Sequence, residues 1–330
     1  MCSSYWNQAV DIFMSDRFCL YRNIAAVIGT AYVLRFLLKK LWALSGGFCA
    51  YFLAPWGISR INIKKYGSWA VVTGASEGIG RGYALELARQ GLNVAIMSRS
   101  REKLEKVEEE IRSKYNRDVR VIPVDFSEGQ SVYDDIQAEI SDLDIAILVN
   151  NVGTGIGGES YFSQVDPLRH RKVIELNCQS MIQMTHLVLP KMLEKKKGII
   201  VNIASILCLF PVPLSTVYSS SKIFVLHFST ALQTEYKSKG IIVQCNSPGY
   251  VATQLVGLKK ATWWAVDPVA YGRSSVATIG LQHHTNGCLT HVFQKKMVEM
   301  LLGQKTAIPM LNIRRKYFLK RQSEKQKKEH

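Results

Sequence analysis

Carboxylates are scarce in this chain: 26 Asp and Glu stand against 42 Lys and Arg, a formal charge of +16 over 330 residues. A surplus of that size implies an anionic partner, which could be nucleic acid, a membrane face or an anionic small molecule. No basic stretch is interleaved with aromatics in a nucleic-acid-binding pattern, so nucleic acid is not expected. The positive charge gathers instead beside an apolar N-terminus and in the tail from Arg314 to Lys328, a distribution that suits a membrane surface. CxxC and other metal-ligand spacings are also missing. The seven cysteines are odd in number and scattered, which excludes a cysteine metal site or a disulfide framework and implies reduced thiols. No internal repeat occurs, and there is no uncharged apolar run of the roughly 20 residues that a lone span requires. Nor is there an early apolar segment with a small-residue cleavage site, which argues against a secretory signal.

What is there begins with two apolar runs, Ile24 to Leu34 and Leu41 to Trp56, separated by Arg35, Lys39 and Lys40. They predict a membrane-associated segment over residues 1–65, as a tilted span, a re-entrant hairpin or an interfacial helix. From Trp69 onward, short β-branched runs alternate with longer helical patterns. Strands are predicted at Trp69–Thr73, Val94–Ser98, Val119–Val124, Ile145–Val149, Ile199–Ile203 and Ile241–Cys245. Runs this apolar, unbroken by polar alternation, suit a parallel sheet covered on both faces. The expected fold is a doubly wound, Rossmann-type α/β domain over 66–310, followed by a basic tail over 311–330.

Directly after the first strand comes Thr73-Gly74-Ala75-Ser76-Glu77-Gly78-Ile79-Gly80, opening a helix. Glycines at a strand-to-helix turn allow backbone to approach a pyrophosphate and expose the helix amides that attract it. The second strand ends at Ser98-Arg99, where a dinucleotide site selective for NAD would place an acid on the ribose. Arg99 there predicts the 2′-phosphate of NADPH, with Arg101 and Lys103 as helpers. Asp125, after the third strand, is expected at the adenine. Asn151 and Gly153, in Asn150-Asn151-Val152-Gly153 after the fourth strand, are expected beside the flat cofactor.

Tyr218 and Lys222 stand one helical turn apart. A phenol titrates near 10, and a neighbouring ammonium is expected to lower that value and make it an acid/base. Ser205, just past the fifth strand, can direct a hydroxyl at the same carbonyl oxygen, and Asn177 is a candidate to hold a relay water for Lys222.

The motifs TGASEGIG, NNVG, Ser205 and YSSSK together resemble the short-chain dehydrogenase/reductase family over Trp69 to Val256. The resemblance implies a catalytic tetrad of Asn177, Ser205, Tyr218 and Lys222, the last two also touching the cofactor. It further implies that Pro248, Gly249, Val251 and Thr253 receive the nicotinamide end. GSWAVVTGASEGIG, ILVNNVG, PVPLSTVYSSSK and GLQHHTNG are similar to the subgroup of 17β-hydroxysteroid dehydrogenases types 3 and 12 and their 20β-acting relatives. That implies an endoplasmic reticulum enzyme reducing a steroid ketone with NADPH, with a very-long-chain 3-oxoacyl-CoA as the alternative substrate and a non-catalytic scaffold as the second alternative. The N-terminal segment is also similar to a hydroxysteroid dehydrogenase-like protein in which phenylalanine replaces the catalytic tyrosine, whereas Tyr218 is intact here. Glu77 and Ala204 depart from the subgroup pattern, outside the tetrad. Leu255, Trp263, Trp264 and Tyr271 are expected to form a substrate lid. Lys327-Lys328 fits a dilysine retrieval signal, no metal is expected, and a homodimer is a family expectation.

Overall fold

A computed structural model describes residues 5–8, 10–11, 16–48, 51, 61–158, 160–254, 257–258 and 260–301. The chain divides into two compact units, 1–49 and 50–330.

In the first unit, α1 (Asp16–Phe48) is one continuous helix. It has no turn between the two apolar runs, so the hairpin expected as one option does not occur within it. Ile24, Val27, Ile28, Val33, Leu34, Phe36, Leu37 and Leu41 are all exposed. Among the described residues, no helix is long and apolar enough to cross a membrane.

The second unit is built on seven strands: β1 (Trp69–Thr73), β2 (Asn93–Ser98), β3 (Val119–Pro123), β4 (Ile145–Asn150), β5 (Gly198–Ile203), β6 (Ile241–Asn246) and β7 (His284–Thr285). They lie in the order β3-β2-β1-β4-β5-β6-β7, and every pairing is parallel. Six of the seven match the sequence expectation to within a residue at each end. The two-residue β7 was missed because His284-Thr285 carries no apolar run and exists only by pairing with Cys245 and Asn246.

The apolar runs are explained by burial on both faces. Ala70 and Val72 of β1 point into one core with Tyr83 and Leu87 of α2 (Gly78–Arg89) and Leu104 and Ile111 of α3 (Arg101–Tyr115). Val71, between them, joins the opposite core with Ile136 of α4 (Ser131–Ile140), Met184 and Val188 of α6 (Ser180–Glu194) and Leu232 of α7 (Thr216–Tyr236). This is the period of two in a strand, with no face left for polar residues. Each fully buried aliphatic side chain contributes about 1.5–3 kcal/mol.

Helix α5 (Pro167–Ile174) begins at the N-cap Asp166 and continues into α6 through a π-helical turn, Glu175–Gln179. The last helices among the described residues are α8 (Pro268–Ala277), capped by Asp267, and α9 (Leu289–Leu301).

Helices α2 and α8 cross at Gly82 and Gly272. A Cβ on Gly82 would overlap the Pro268 carbonyl, and one on Gly272 would overlap the Gly82 backbone. Rigid backbone on both sides cannot give way. Gly82→Val should therefore destabilise the protein by at least about 1–3 kcal/mol. Thermal unfolding would then fall by several degrees, at about 2–4 °C per kcal/mol for a domain of this size. An unchanged melting temperature would show that the crossing is not tight.

Candidate active site

Strand order reverses between β1 and β4, and such a switch point opens a crevice at the carboxyl ends of the strands. Thr73 stitches that seam. Its hydroxyl donates to the Val149 carbonyl at 3.3 Å and accepts from the Asn151 and Val152 amides at 3.0 and 3.1 Å. The Asn151 side chain donates at 3.1 Å to the carbonyls of both Thr73 and Gly74.

Gly74 and Gly78 have left-handed φ of 64° and 59°, and a Cβ on Gly80 would overlap the Gly74 carbonyl. Glu77, the N-cap of α2, makes no capping bond with its side chain and is ion-paired to Lys103 at 2.9 Å. No capping side chain therefore covers the first-turn amides of α2, the arrangement that receives a phosphate. A Cβ on Gly78 would meet the Thr253 methyl at 3.0 Å, so the loop after β6 closes over this turn. Ile79, half-buried, packs on the core beneath it. The residues present fit a dinucleotide pyrophosphate.

At the end of β2, the Ser98 hydroxyl is 2.9 Å from that of Ser76. Arg99 is exposed, with Asp125 at 3.9 Å. Burial works against the charge on Asp125, but the Ser127 amide and hydroxyl, at 3.0 and 2.7 Å, together with Arg99 hold it below the ordinary aspartate range. The proposed helpers Arg101 and Lys103 are paired with Glu105 and Glu77.

Tyr218 and Lys222 lie on α7, and Ser205 follows β5. The Ser205 oxygen accepts from the Leu207 amide at 3.2 Å, and its hydroxyl is hydrogen-bonded to Tyr218. The next residue fixes its position, because the Ile206 amide donates to the Pro248 carbonyl at 2.9 Å. The Lys222 ammonium is buried, donates to the Ile203 carbonyl at 3.1 Å and sits 5.8 Å from the centre of the Tyr218 ring. Burial brings its pKa down to about 8. Tyr218 departs from the sequence expectation. Burial pushes its hydroxyl above the ordinary tyrosine value, and a hydrogen bond with Ser205 only partly offsets this. An ammonium tied to a backbone carbonyl does not outweigh that desolvation.

Asn177 sits in the π turn. Its Oδ1 accepts from the Thr154 amide at 2.7 Å, and its Nδ2 donates to the Thr154 carbonyl at 3.1 Å and to Ser221 Oγ at 2.9 Å. Both amide hydrogens are committed, so the side chain is foremost a brace between the loop after β4 and α7. One oxygen lone pair remains for a relay water. A Cβ on Gly153 would lie 3.0 Å from Asn177 Oδ1 and 3.3 Å from Lys222 Nζ, so only a residue without a side chain lets these two groups approach the strand end.

Several residues that build the site were not singled out in the sequence. Ser221 was legible only as part of YSSSK, yet it links Asn177 to the Tyr218 carbonyl. Buried Asn246 receives a hydrogen bond from Tyr271 at 2.6 Å and donates to Tyr83 at 2.8 Å. This corrects the lid. Tyr271 is fully buried and belongs to the core, while Trp263 is exposed and packs edge-on to Trp264 at 5.3 Å. Leu255 lies outside the described residues. Gln294 bridges the Tyr250 amide and the Trp264 carbonyl, fastening the loop that carries Pro248, Gly249 and Val251. His284 lies 2.8 Å from the Ser247 hydroxyl, and burial holds its imidazole at about 4, neutral at pH 7.

The short chain dehydrogenase family model matches residues 68–262. The chain belongs to the short-chain dehydrogenase family. A very-long-chain 3-oxoacyl-CoA reductase of Anas platyrhynchos is 44% identical, over 83% of this chain and 90% of its own. The Homo sapiens protein of that name is also 44% identical, over 71% of this chain and 76% of its own. A Homo sapiens inactive hydroxysteroid dehydrogenase-like protein 1 is 38% identical, over 87% and 90%. Among solved structures, a Sphingobium yanoikuyae short-chain dehydrogenase in complex with NADPH is 25% identical with a TM-score of 0.58, covering 63% of this chain and 81% of that one. A 7beta-hydroxysteroid dehydrogenase shares the fold, with a TM-score of 0.69 at 19% identity, over 76% of this chain and 100% of that one.

A short-chain dehydrogenase that buries a charged lysine gives up stability for it. Lys222 titrates near 8 in the folded chain and near 10.5 when unfolded, so the unfolded chain binds more protons between those values. The cost is fully present below pH 8 and vanishes as pH rises past 10.5. It amounts to roughly 3 kcal/mol at pH 7. Lys222→Met should melt higher than the parent at pH 7, with the difference closing by about pH 10.5. A difference independent of pH would show that the ammonium is not desolvated.

Proposed function

We propose that this short-chain dehydrogenase is an NADPH-dependent 3-oxoacyl-CoA reductase acting on long acyl chains. The observation that carries the reading is an intact Tyr218, protonated and joined to Ser205, in a chain 44% identical to very-long-chain 3-oxoacyl-CoA reductases over most of their length. Of the two substrate classes expected from the sequence, these relatives favour the thioester. The likeness to a 7beta-hydroxysteroid dehydrogenase, at 19% identity, supports the fold and not a steroid substrate. Intact Tyr218 also argues against the non-catalytic scaffold, since the inactive protein in this subgroup has phenylalanine there.

When bound, the nicotinamide supplies the hydride that reaches the keto carbon. Negative charge then gathers on the carbonyl oxygen, where the Ser205 hydroxyl, turned from Tyr218 to the substrate, can stabilise it. Tyr218 donates the proton to that oxygen. The phenol is protonated at pH 7 and so can serve as the acid, while burial, by raising its pKa, makes release of that proton harder. Lys222, held by the Ile203 carbonyl, places a cation beside the ring and eases the charge left on the phenol. Asn177 keeps the loop after β4 against α7 and offers its remaining lone pair to a relay water. The glycine turn holds the pyrophosphate, Ser76, Ser98 and Arg99 take the 2′-phosphate, and Asp125 and Asn151 flank adenine and nicotinamide ribose. Pro248, Gly249, Val251 and Thr253 close over the nicotinamide.

The exposed apolar residues of α1 support attachment of residues 1–65 to a membrane. The Lys327-Lys328 pair, outside the described residues, supports the endoplasmic reticulum.

Detergent-solubilised protein should oxidise NADPH with a long-chain 3-oxoacyl-CoA and turn over androstenedione or cortisone far more slowly. Tyr218→Phe should lose activity by about two orders of magnitude or more while binding NADPH within a few-fold. Turnover of the steroids alone would replace the thioester reading, and full activity in Tyr218→Phe would remove it as the proton donor. Arg99→Asp should raise the Michaelis constant for NADPH by about tenfold or more, roughly one lost charge-assisted contact, with little change for NADH. Equal effects on both cofactors would take Arg99 out of the phosphate site.

A further inference from the structure

Parallel pairing leaves a second edge, where the strands begin, and that edge carries a cleft that the reaction does not use. It has a volume of about 480 Å³ and is lined by Lys64, Lys65, Arg117, Lys195 and Lys197, with Asp144 as the one carboxylate. Every landmark in its wall precedes a strand: Gly67 and Ser68 lead into β1, Leu92 into β2, Arg117 into β3, Asp144 into β4 and Lys197 into β5.

The cleft is built and not merely a basic surface. Its first two cations sit on a 3-10 turn, Ile63–Tyr66, capped by the Asn62 side chain at 3.1 Å and pinned by Ile63 in the core. Lys195 forms the floor, donating to the Tyr66 carbonyl at 2.8 Å and to Asp144 and the Ile145 carbonyl at 2.7 Å. That contact also removes the lining carboxylate from play. The nearby Asp118 and Asp142 are paired with Arg112 and Arg120. Lys64, Lys65, Arg117 and Lys197 make no ion pair among the described residues. Four uncompensated cations around one concavity, in a volume typical of ligand sites, leave a strong local positive potential.

We propose that this cleft binds a multiply charged phosphate group, with Arg117 presenting its fork and the lysines supplying point charges. Its two sources are the headgroup of a phosphorylated lipid and a soluble polyphosphate. The lipid source is favoured by the chain order, because the exposed apolar helix α1 precedes the turn that carries Lys64 and Lys65. The site is independent of the catalytic reading, since it lies on the opposite edge of the sheet.

The test uses the full chain, its Lys64→Ala/Lys65→Ala/Arg117→Ala variant, and a Lys106→Ala/Arg273→Ala/Lys296→Ala variant that removes the same charge from surfaces elsewhere. Binding of tripolyphosphate is read by calorimetry. Binding to phosphatidylcholine vesicles with and without phosphatidylinositol 4-phosphate is read by flotation. The cleft variant should lose about tenfold or more in affinity, while the control stays within about twofold. Both variants should keep the parent's rate of NADPH oxidation. A loss confined to the vesicles assigns the lipid source, and a loss with tripolyphosphate alone assigns the soluble one. Equal weakening in both variants would mean that net charge alone is read, and absence of binding by the parent chain would overturn the site outright.

Discussion

Parallel pairing is the constraint from which the rest of this molecule follows. Seven strands running one way must all end on one edge and all begin on the other, so residues distant in sequence converge without any further device. The glycine turn after β1, Asn151 after β4, Ser205 after β5 and the proline-glycine loop after β6 meet because each follows a strand end. The same rule gathers Arg117, Asp144 and Lys197 at the opposite edge, where no catalytic residue lies. One sheet therefore gives two separate surfaces, one shaped by small residues and amides, the other by cations.

The catalytic edge is braced by hydrogen bonds that its polar side chains make to backbone and to one another. Thr73 fastens β1 to the loop after β4, Asn177 fastens that loop to α7, and Ile206 fastens the Ser205 turn to Pro248. Behind them, Asn150 donates to Asn202 at 2.8 Å and Asn202 to Ser229 at 2.9 Å, a buried chain from β4 through β5 to α7. Buried amides of this kind are costly unless satisfied. Asn150 Oδ1 has no partner among the described residues, while the bonds that are made help hold hydroxyl and ammonium in one geometry. A charged lysine at the centre costs stability, and the apolar cores on the two faces of the sheet offset it.

A similar comparison explains why Tyr218 and Lys222 move in opposite directions from their ordinary values. Both are desolvated, and desolvation favours the neutral form of each, a protonated phenol and an unprotonated amine. The phenol therefore stays protonated, in place of the phenolate expected from the spacing alone, and Lys222 is the group that eases the charge left by proton donation.

Much of this was written in the sequence. Mostly apolar runs located β1 to β6, because burial on both faces of the sheet centre selects aliphatic side chains there. TGASEGIG, NNVG, Ser205 and YSSSK marked the site, because backbone approach to phosphate and one-turn spacing on a helix are local requirements. Tertiary structure alone decided what depends on burial and on distant neighbours. It turned the Tyr218 shift upward, put Tyr271 in the core, made Asn177 a brace, created β7 from two polar residues, and carried one helix through Arg35 from the first N-terminal apolar run into the second as far as Phe48. It also assembled the cations of the second edge. Charge counts show a surplus, but only the common direction of the strands brings Lys64, Arg117 and Lys197 around one cleft, because Coulomb energy depends on separation in space and not along the chain.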